Sequence, residues 1–402
     1  MQLVISLISG RHILLAGPVG TGKTTLARII SELFWNDPAN NENGYYPDIH
    51  TATAEWSSQD IVGGIMPRIQ NGSPTYEIVL GCVSETVAGN WSSRNTQRRV
   101  AHSRNTKVYR GIWLVIDEFN RADIDKAFGQ LFTALETKIL KVPTAEGKSA
   151  FREVRIPQDY RIIGTLNTAD KHYLFKLSDA LKRRFAYIEL PAPSRQQRGA
   201  EIYYALKNAL RDMNSNNSDS DYQDLVVLDD NLKSVDATKS NSAFVESINQ
   251  AYDVLDLIRT VKPLGTAVLK SIYQTMLVGC KVMGDFKKAF DISINSNLIP
   301  QVENLSVTSL QTIQNFFFGD ALSFFQEKYS SNQREQYSGD FKSFLRFIQA
   351  KNPEARARQF LVRKIDEKEW TSIKEGFDQS RRQIDSPLFN SALQDLIRTS
   401  VQ

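Results

Sequence analysis

Cysteine is nearly absent: Cys82 and Cys280 are the only two in 402 residues. They stand far apart, with neither metal-ligand spacing nor the even set of a disulfide framework, which fits a reducing cytoplasm. Long apolar runs are missing as well. No stretch approaches the ~18–20 residues a membrane span needs. The short run Leu3–Ile8 lacks a basic flank and a cleavage site, so it does not read as a signal peptide; it predicts a short helix packed on the core. Histidine is scarce, and His12, His50, His102 and His172 are scattered, so no metal-ligand, nuclease or protease cluster emerges. The excess of positive charge is only +4, too little by itself to announce a nucleic-acid binder. No internal repeat is visible.

What is present is an ordinary globular composition, 41% hydrophobic and 23% charged, at a length that predicts two or three domains with ample chain for a core. The first half alternates β-branched runs with amphipathic ones. Strands are predicted at 12–16, 49–54, 112–116, 161–166 and 185–190, and helices at 23–34, 122–136 and 177–182. Such alternation implies a parallel sheet with crossover helices. Segments 138–142 and 151–156 read as a β-hairpin about a glycine turn. The polar stretches 37–46 and 91–110 read as loops, the latter mobile and rich in arginine: Arg94, Arg98, Arg99, Arg104 and Arg110, with Lys107. Pro191 and Pro193 end the sheet half. Beyond them the pattern is helical, with a low-complexity linker at 214–221 and helices at 244–259, 266–282 and 310–329. The expected division is 1–193, 194–290 and 291–402.

Chemistry concentrates in four places. Gly17-Pro18-Val19-Gly20-Thr21-Gly22-Lys23-Thr24 is a complete Walker A pattern, following a strand and opening a helix, with Thr25 next in that helix. Its glycines let backbone N–H groups wrap a phosphate at the positive helix end. Lys23 is placed for the β- and γ-phosphates and Thr24 for Mg²⁺. A plain glycine turn could look similar, but not with a partner motif present. That partner is the apolar strand ending Ile116-Asp117-Glu118. Asp117 would hold Mg²⁺ through water, and Glu118 is the candidate base for the attacking water. Asn167 ends another buried strand at the same level; it could hold the water or a γ-phosphate oxygen, or merely cap a turn. Arg183 and Arg184 end a helix, either as favourable charge on its C-terminus or as an arginine finger for a neighbouring subunit's nucleotide.

Taken together, the Walker A run, Ile116-Asp117-Glu118-Phe119-Asn120-Arg121-Ala122, Leu166-Asn167-Thr168-Ala169-Asp170 and the Ala180–Phe185 segment resemble the AAA+ ATPases of the McrB/MoxR/dynein-related group. The resemblance spans about residues 10–193. It implies an α/β P-loop NTPase core, with a parallel five-stranded sheet and helices on both faces, then an α-helical lid and further C-terminal helices. It implies ATP or GTP with Mg²⁺, and usually a hexameric ring. It makes Asn167 sensor 1, Arg183 or Arg184 the finger, and the 138–156 hairpin the pre-sensor-1 hairpin. Two departures stand out: Lys171 where McrB-like members carry arginine, and Phe119 for isoleucine. For sensor 2 the start of the helix after Pro263 offers only Lys270. The leading functional expectation is a cytoplasmic, MoxR-like ring ATPase remodelling a partner protein. The alternative is a McrB-like translocase subunit acting on DNA beside a separate nuclease. A nucleotide-gated switch without hydrolysis is disfavoured by the presence of both Glu118 and Asn167.

Overall fold

The computed structural model describes residues 1–37, 42–70, 73–92, 95–104, 106–144, 151–168, 179–216, 222–330, 368, 370–371, 373–375 and 384–400. It divides into two compact units, Met1–Pro191 and Ala192–Gln402.

The first unit runs α1 (Gln2–Ile8), β1 (His12–Gly17), α2 (Lys23–Leu33), β2 (Glu42–Thr51), α3 (Ser58–Ile61), β3 (Gly63–Gln70), β4 (Ser73–Leu80) and α4 (Cys82–Ala88). It continues with β5 (Trp91–Ser92), β6 (Asn95–Arg99), β7 (His102–Arg104), β8 (Lys107–Asp117), α5 (Ile124–Thr137), β9 (Ile139–Pro143), β10 (Phe151–Arg155), β11 (Ile162–Asn167), α6 (Asp179–Arg184) and β12 (Phe185–Glu189). The main sheet has the order β12-β1-β11-β8-β2, all parallel, with the short β7 added antiparallel to β8. This is the expected parallel five-stranded sheet with one further strand.

Two apolar clusters cover the sheet. One gathers Leu14, Leu114, Ile116, Phe119 and Phe128 with α5; the other gathers Ile13, Leu15, Ala27, Trp113 and Val115 with α1 and α2. Helices therefore flank both faces. Strand β1 is buried throughout, as its unbroken β-branched and leucine run requires. Leu7 of α1 is fully buried, so the N-terminal run is a short helix on the core.

Two expectations for this unit need correction. Residues 42–46 are not loop but the start of β2, because Tyr45 stacks on Trp113 at 4.4 Å and its hydroxyl donates to Asp159 at 2.7 Å. The arginine-rich stretch is not a loop either: it forms β5, β6, β7 and the first residues of β8. Two of its arginines lie over aromatic rings, Arg99 over Trp91 at 5.4 Å and Arg104 over Tyr46 at 4.9 Å; Arg94 lies outside the described residues. An antiparallel hairpin, β3 and β4, stands between α3 and α4, and no sequence signal announced it. The β9–β10 hairpin pairs as expected, Phe151 opposite Pro143; its turn, 145–150, lies outside the described residues.

The second unit is helical: α7 (Arg198–Asn216), α8 (Ser242–Val261), α9 (Thr266–Met283), α10 (Phe286–Val302), α11 (Val307–Phe318), α12 (Ala321–Ser330) and α13 (Pro387–Thr399), with a small ribbon β13 (Leu228–Asp229) and β14 (Ser234–Val235). Its helices share one apolar core. Helix α7 continues to Asn216, into what read as linker; the remainder, 217–221, lies outside the described residues. The predicted helix 310–329 is two, parted at Gly319-Asp320. Inside this unit Glu201 is buried and accepts from Arg259 at 2.9 and 2.5 Å and from the Thr266 hydroxyl at 2.8 Å. Lys270, the sensor-2 candidate, is ion-paired with Asp212.

Candidate active site

Parallel register carries the predicted residues to one edge. Gly17, the last residue of β1, lies opposite Asn167, the last of β11. On the other side of β11, Gly164 pairs Ile116, which brings Thr165 level with Asp117 at the end of β8. The carboxyl ends of three neighbouring strands thus present the Walker A loop, the two acids and the amide together, where such sheets bind ligands.

The loop itself is shaped by backbone freedom. Gly20 and Gly22 both hold φ of 79°, a region L side chains rarely adopt. Gly22 caps α2, whose first return bond runs from the Leu26 N–H to the Gly22 carbonyl at 2.8 Å. The preceding N–H groups of the first turn are therefore not spent within the helix and form an anion-binding end. Thr21 closes the loop through its hydroxyl to the Pro18 carbonyl at 3.0 Å. Val19 stands exposed at the tip and Thr25 is exposed on α2.

Lys23 is buried, its Nζ donating to the carbonyls of Gly17 at 3.0 Å and Pro18 at 2.7 Å. Burial lowers its pKa, opposed by the nearby carboxylates of Asp117 and Glu118. The ammonium is held at the loop and poised to exchange carbonyl partners for phosphate oxygens.

Asp117 Oδ1 accepts from the Thr24 hydroxyl at 2.7 Å and from the Thr165 hydroxyl. Thr165 also accepts from the Glu118 N–H at 3.0 Å. One hydroxyl therefore fixes both acids. Sequence reasoning assigned Thr165 no role; the available signal was a hydroxyl two positions before Asn167 in an otherwise apolar strand.

Glu118 sits just past the strand end with φ of 53°, a conformation that costs a non-glycine residue on the order of 1 kcal/mol or more and clusters at functional sites. The turn lifts its carboxylate out of the sheet. Oε1 receives the Asn167 amide at 3.4 Å, and Oε2 pairs with Arg121 Nε at 2.8 Å.

Thr24 and Asp117 suit Mg²⁺: hard oxygen donors in direct contact, few in number, leaving room for water and phosphate ligands. Neither thiol offers alternative chemistry. Both cysteines are buried, and burial pushes Cys82 up to about 12 and Cys280 to about 11. Among the described residues no helix is long and apolar enough to cross a membrane.

The predicted arginines are elsewhere. Phe185 pairs with His12, so α6 and its two arginines lie at the N-terminal edge of the sheet. Arg184 pairs with Glu136 at 2.5 Å. Arg183 is exposed and makes no hydrogen bond or ion pair among the described residues.

The AAA domain family, dynein-related subfamily, matches residues 12–185. The curated protein "Uncharacterized protein YojN" of Bacillus subtilis (strain 168) is 25% identical over 188 residues, 47% of this chain and 50% of that protein; the chain thus matches about half the length of this relative. Among solved structures, NtrX from Brucella abortus aligns over 75% of this chain and 61% of its own, with 13% identity and a TM-score of 0.40. NtrX in complex with ADP aligns over 84% and 65%, with 12% identity and a TM-score of 0.38.

Proposed function

We propose that this chain, whose residues 12–185 match the dynein-related subfamily of AAA domains, is a ring-forming nucleoside triphosphatase, using ATP, whose site on one copy is completed by Arg183 of the next. One observation carries this reading. Arg183 lies at the end of β1 opposite the Walker A loop. Five residue steps separate His12 from Gly17, or about 17 Å at roughly 3.3 Å per residue. No arginine side chain crosses that distance, so an exposed Arg183 serves another copy's nucleotide.

In the proposed reaction, the α2 N–H groups and Lys23 bind the phosphates. Mg²⁺, held by Thr24 and Asp117, would neutralise charge on the β- and γ-oxygens. Glu118, paired with Arg121 and steadied by Asn167, orients the attacking water and takes its proton. The neighbour's Arg183 offsets charge on the transferring phosphoryl group.

The test mixes two inactive proteins, Glu118→Gln and Arg183→Ala. Each keeps the group the other lacks, so some interfaces in mixed rings carry both and activity returns in part. Glu118→Gln alone should bind nucleotide yet turn over about 10²–10⁴-fold more slowly. Absence of recovery despite co-assembly would defeat the proposal.

The work falls on a partner macromolecule. A MoxR-like role would remodel a protein complex. A McrB-like role on DNA draws support from a specific surface: Arg98, Arg104, Lys107 and Arg110 are all exposed, with Arg104 against the Tyr46 ring. Phosphate contacts there would make binding fall steeply with salt. Binding of DNA that is absent at low salt, or unaltered when these cations become serine, would leave the protein-remodelling role.

A further inference from the structure

The corner that presents Arg183 is held from two sides. On the α5 side, Glu136 engages the Arg184 guanidinium at 2.5 Å. On the β1 side, Arg11 reaches across with Nη2, donating to the carbonyl of Lys182 at 3.1 Å and to that of Phe185 at 2.6 Å. These two carbonyls bracket Arg183 and Arg184 in the chain. They belong to the last turn of a six-residue helix and to the first residue of β12. Terminal carbonyls have no partner inside their helix, and so short a helix has little stability of its own. Arg11 supplies one planar group that reaches both acceptors and fixes the angle at which helix passes into strand.

We propose that Arg11 is a positioning residue for the arginine finger: it touches no nucleotide, and it aims Arg183 at the triphosphate of a neighbouring copy. The proposal rests on the trans-acting reading of Arg183. Arg11 is itself anchored, being the residue before β1, with its N–H bonded to the Ser6 carbonyl of α1 at 3.1 Å. Arg184 cannot substitute, because its bond to Glu136 restrains a side chain and leaves the backbone turn free. Lysine at position 11 would replace a planar fork by a flexible point charge and hold the turn less well.

Complementation assigns Arg11 to one of two groups. Full-length Arg11→Ala and Arg11→Lys are prepared beside Glu118→Gln and Arg183→Ala, and kcat, KM, nucleotide affinity and thermal unfolding are measured. Arg11→Ala is expected to lose about 10- to 100-fold in kcat, the scale of a misplaced group, with KM and affinity nearly unchanged. Arg11→Lys should fall between it and the parent. Mixed with Glu118→Gln, Arg11→Ala should regain activity, because the Glu118→Gln copy lends it a well-aimed Arg183. Mixed with Arg183→Ala it should not, because neither copy has a competent finger. Recovery with Arg183→Ala, parental turnover in Arg11→Ala, or a loss carried by KM and affinity would each overturn the assignment. If Glu118→Gln and Arg183→Ala fail to complement one another, the trans reading falls and Arg11 falls with it. If that pair recovers and Arg11→Ala complements either partner alike, only the role of Arg11 is lost. Should Arg11→Ala unfold early, Arg11→Lys carries the same comparison.

Discussion

The two edges of the central sheet use the same strands for opposite ends. At the carboxyl edge, Thr24, Asp117, Thr165, Glu118 and Asn167 are joined to one another, all through side chains except the Glu118 N–H bond to Thr165. At the amino edge, apart from the Arg184–Glu136 pair, side chains are tied to backbone. Arg161 donates to the carbonyls of Leu7, Gln158 and Tyr160, and His12 Nδ1 accepts from the Ile162 N–H at 2.9 Å. Side-chain pairs, and the Lys23 ammonium on its loop carbonyls, can exchange partners when a ligand arrives; the backbone groups bonded at the amino edge lie at strand and helix ends and cannot do so without disturbing the fold. One edge is therefore equipped for chemistry and the other for fastening. Arg183 is the exception at the fastening edge: it is exposed, and in the proposed reading it acts outside its own subunit.

The largest expected effect tests that exception. Arg183→Ala should cost on the order of 10³-fold or more in turnover with nucleotide binding retained, whereas Arg184→Ala should cost about tenfold at most. Arg184 is engaged with Glu136, a largely solvent-exposed residue, and such pairs contribute roughly 0–1 kcal/mol. Steady-state rates of the two variants decide it. Equal losses would dissolve the distinction between the residues and return both to charge on a helix end.

On the chemical edge, Lys23→Ala should weaken triphosphate binding by about 100-fold or more. Two charge-assisted bonds at roughly 1.5–3 kcal/mol each would be lost. Titration of a fluorescent nucleotide measures it, and unchanged affinity would remove Lys23 from the phosphate site. Thr165→Val probes a subtler point. Valine keeps the shape but cannot donate to Asp117 or accept from the Glu118 N–H, leaving a part-buried amide unpaired at a cost of about 1–3 kcal/mol. Turnover should drop about tenfold and the unfolding temperature should fall, while Thr165→Ser stays near the parent. If valine is silent in both assays, the hydroxyl is not what holds the two acids.

How much of this was legible follows from the range of the interactions. The Walker A loop, the Asp117-Glu118 strand end and Asn167 are local patterns, because strand, turn and helix must follow one another within a few residues for phosphate to be held. That the main strands run parallel came from alternation; their order did not. The roles of Thr165 and Arg11 were not readable, since each depends on a partner 48 or 171 residues away. The β3–β4 hairpin was hidden for a different reason. It carries Pro67 and Pro74, which argue against interior strands, and Ile65, Ile69 and Tyr76 face solvent, so no inward apolar alternation marks it. A two-stranded ribbon outside the main sheet tolerates both. The arginine-rich strands were hidden because part of their cohesion comes from the ring of a distant residue, Tyr46.

The fastening edge also makes a prediction about pH. His12 is 3% exposed, and its ring lies 5.2 Å from that of Phe185. Burial, together with the charges of Lys138 and Arg161, lowers its pKa from 6.5 to about 3. The folded protein thus holds His12 neutral, as its acceptor bond from the Ile162 N–H requires. The unfolded chain takes up a proton near pH 6.5, and the folded one does so only near pH 3. A lowered folded pKa contributes stability that is present above pH 6.5 and is lost as the solution is acidified toward pH 3. Each pH unit below 6.5 costs about 1.4 kcal/mol, so roughly 2 kcal/mol should disappear between pH 7 and pH 5. His12→Gln offers a carbonyl to the same N–H without titrating. Its stability at pH 7 should be lower than the parent's, but its loss between pH 7 and pH 5 should be smaller by about that 2 kcal/mol. Denaturant unfolding of the two proteins at both pH values gives the four numbers required. Parallel losses would mean that His12 is not held neutral in the fold, and that the amino edge is fastened by Arg11 and Arg161 without it.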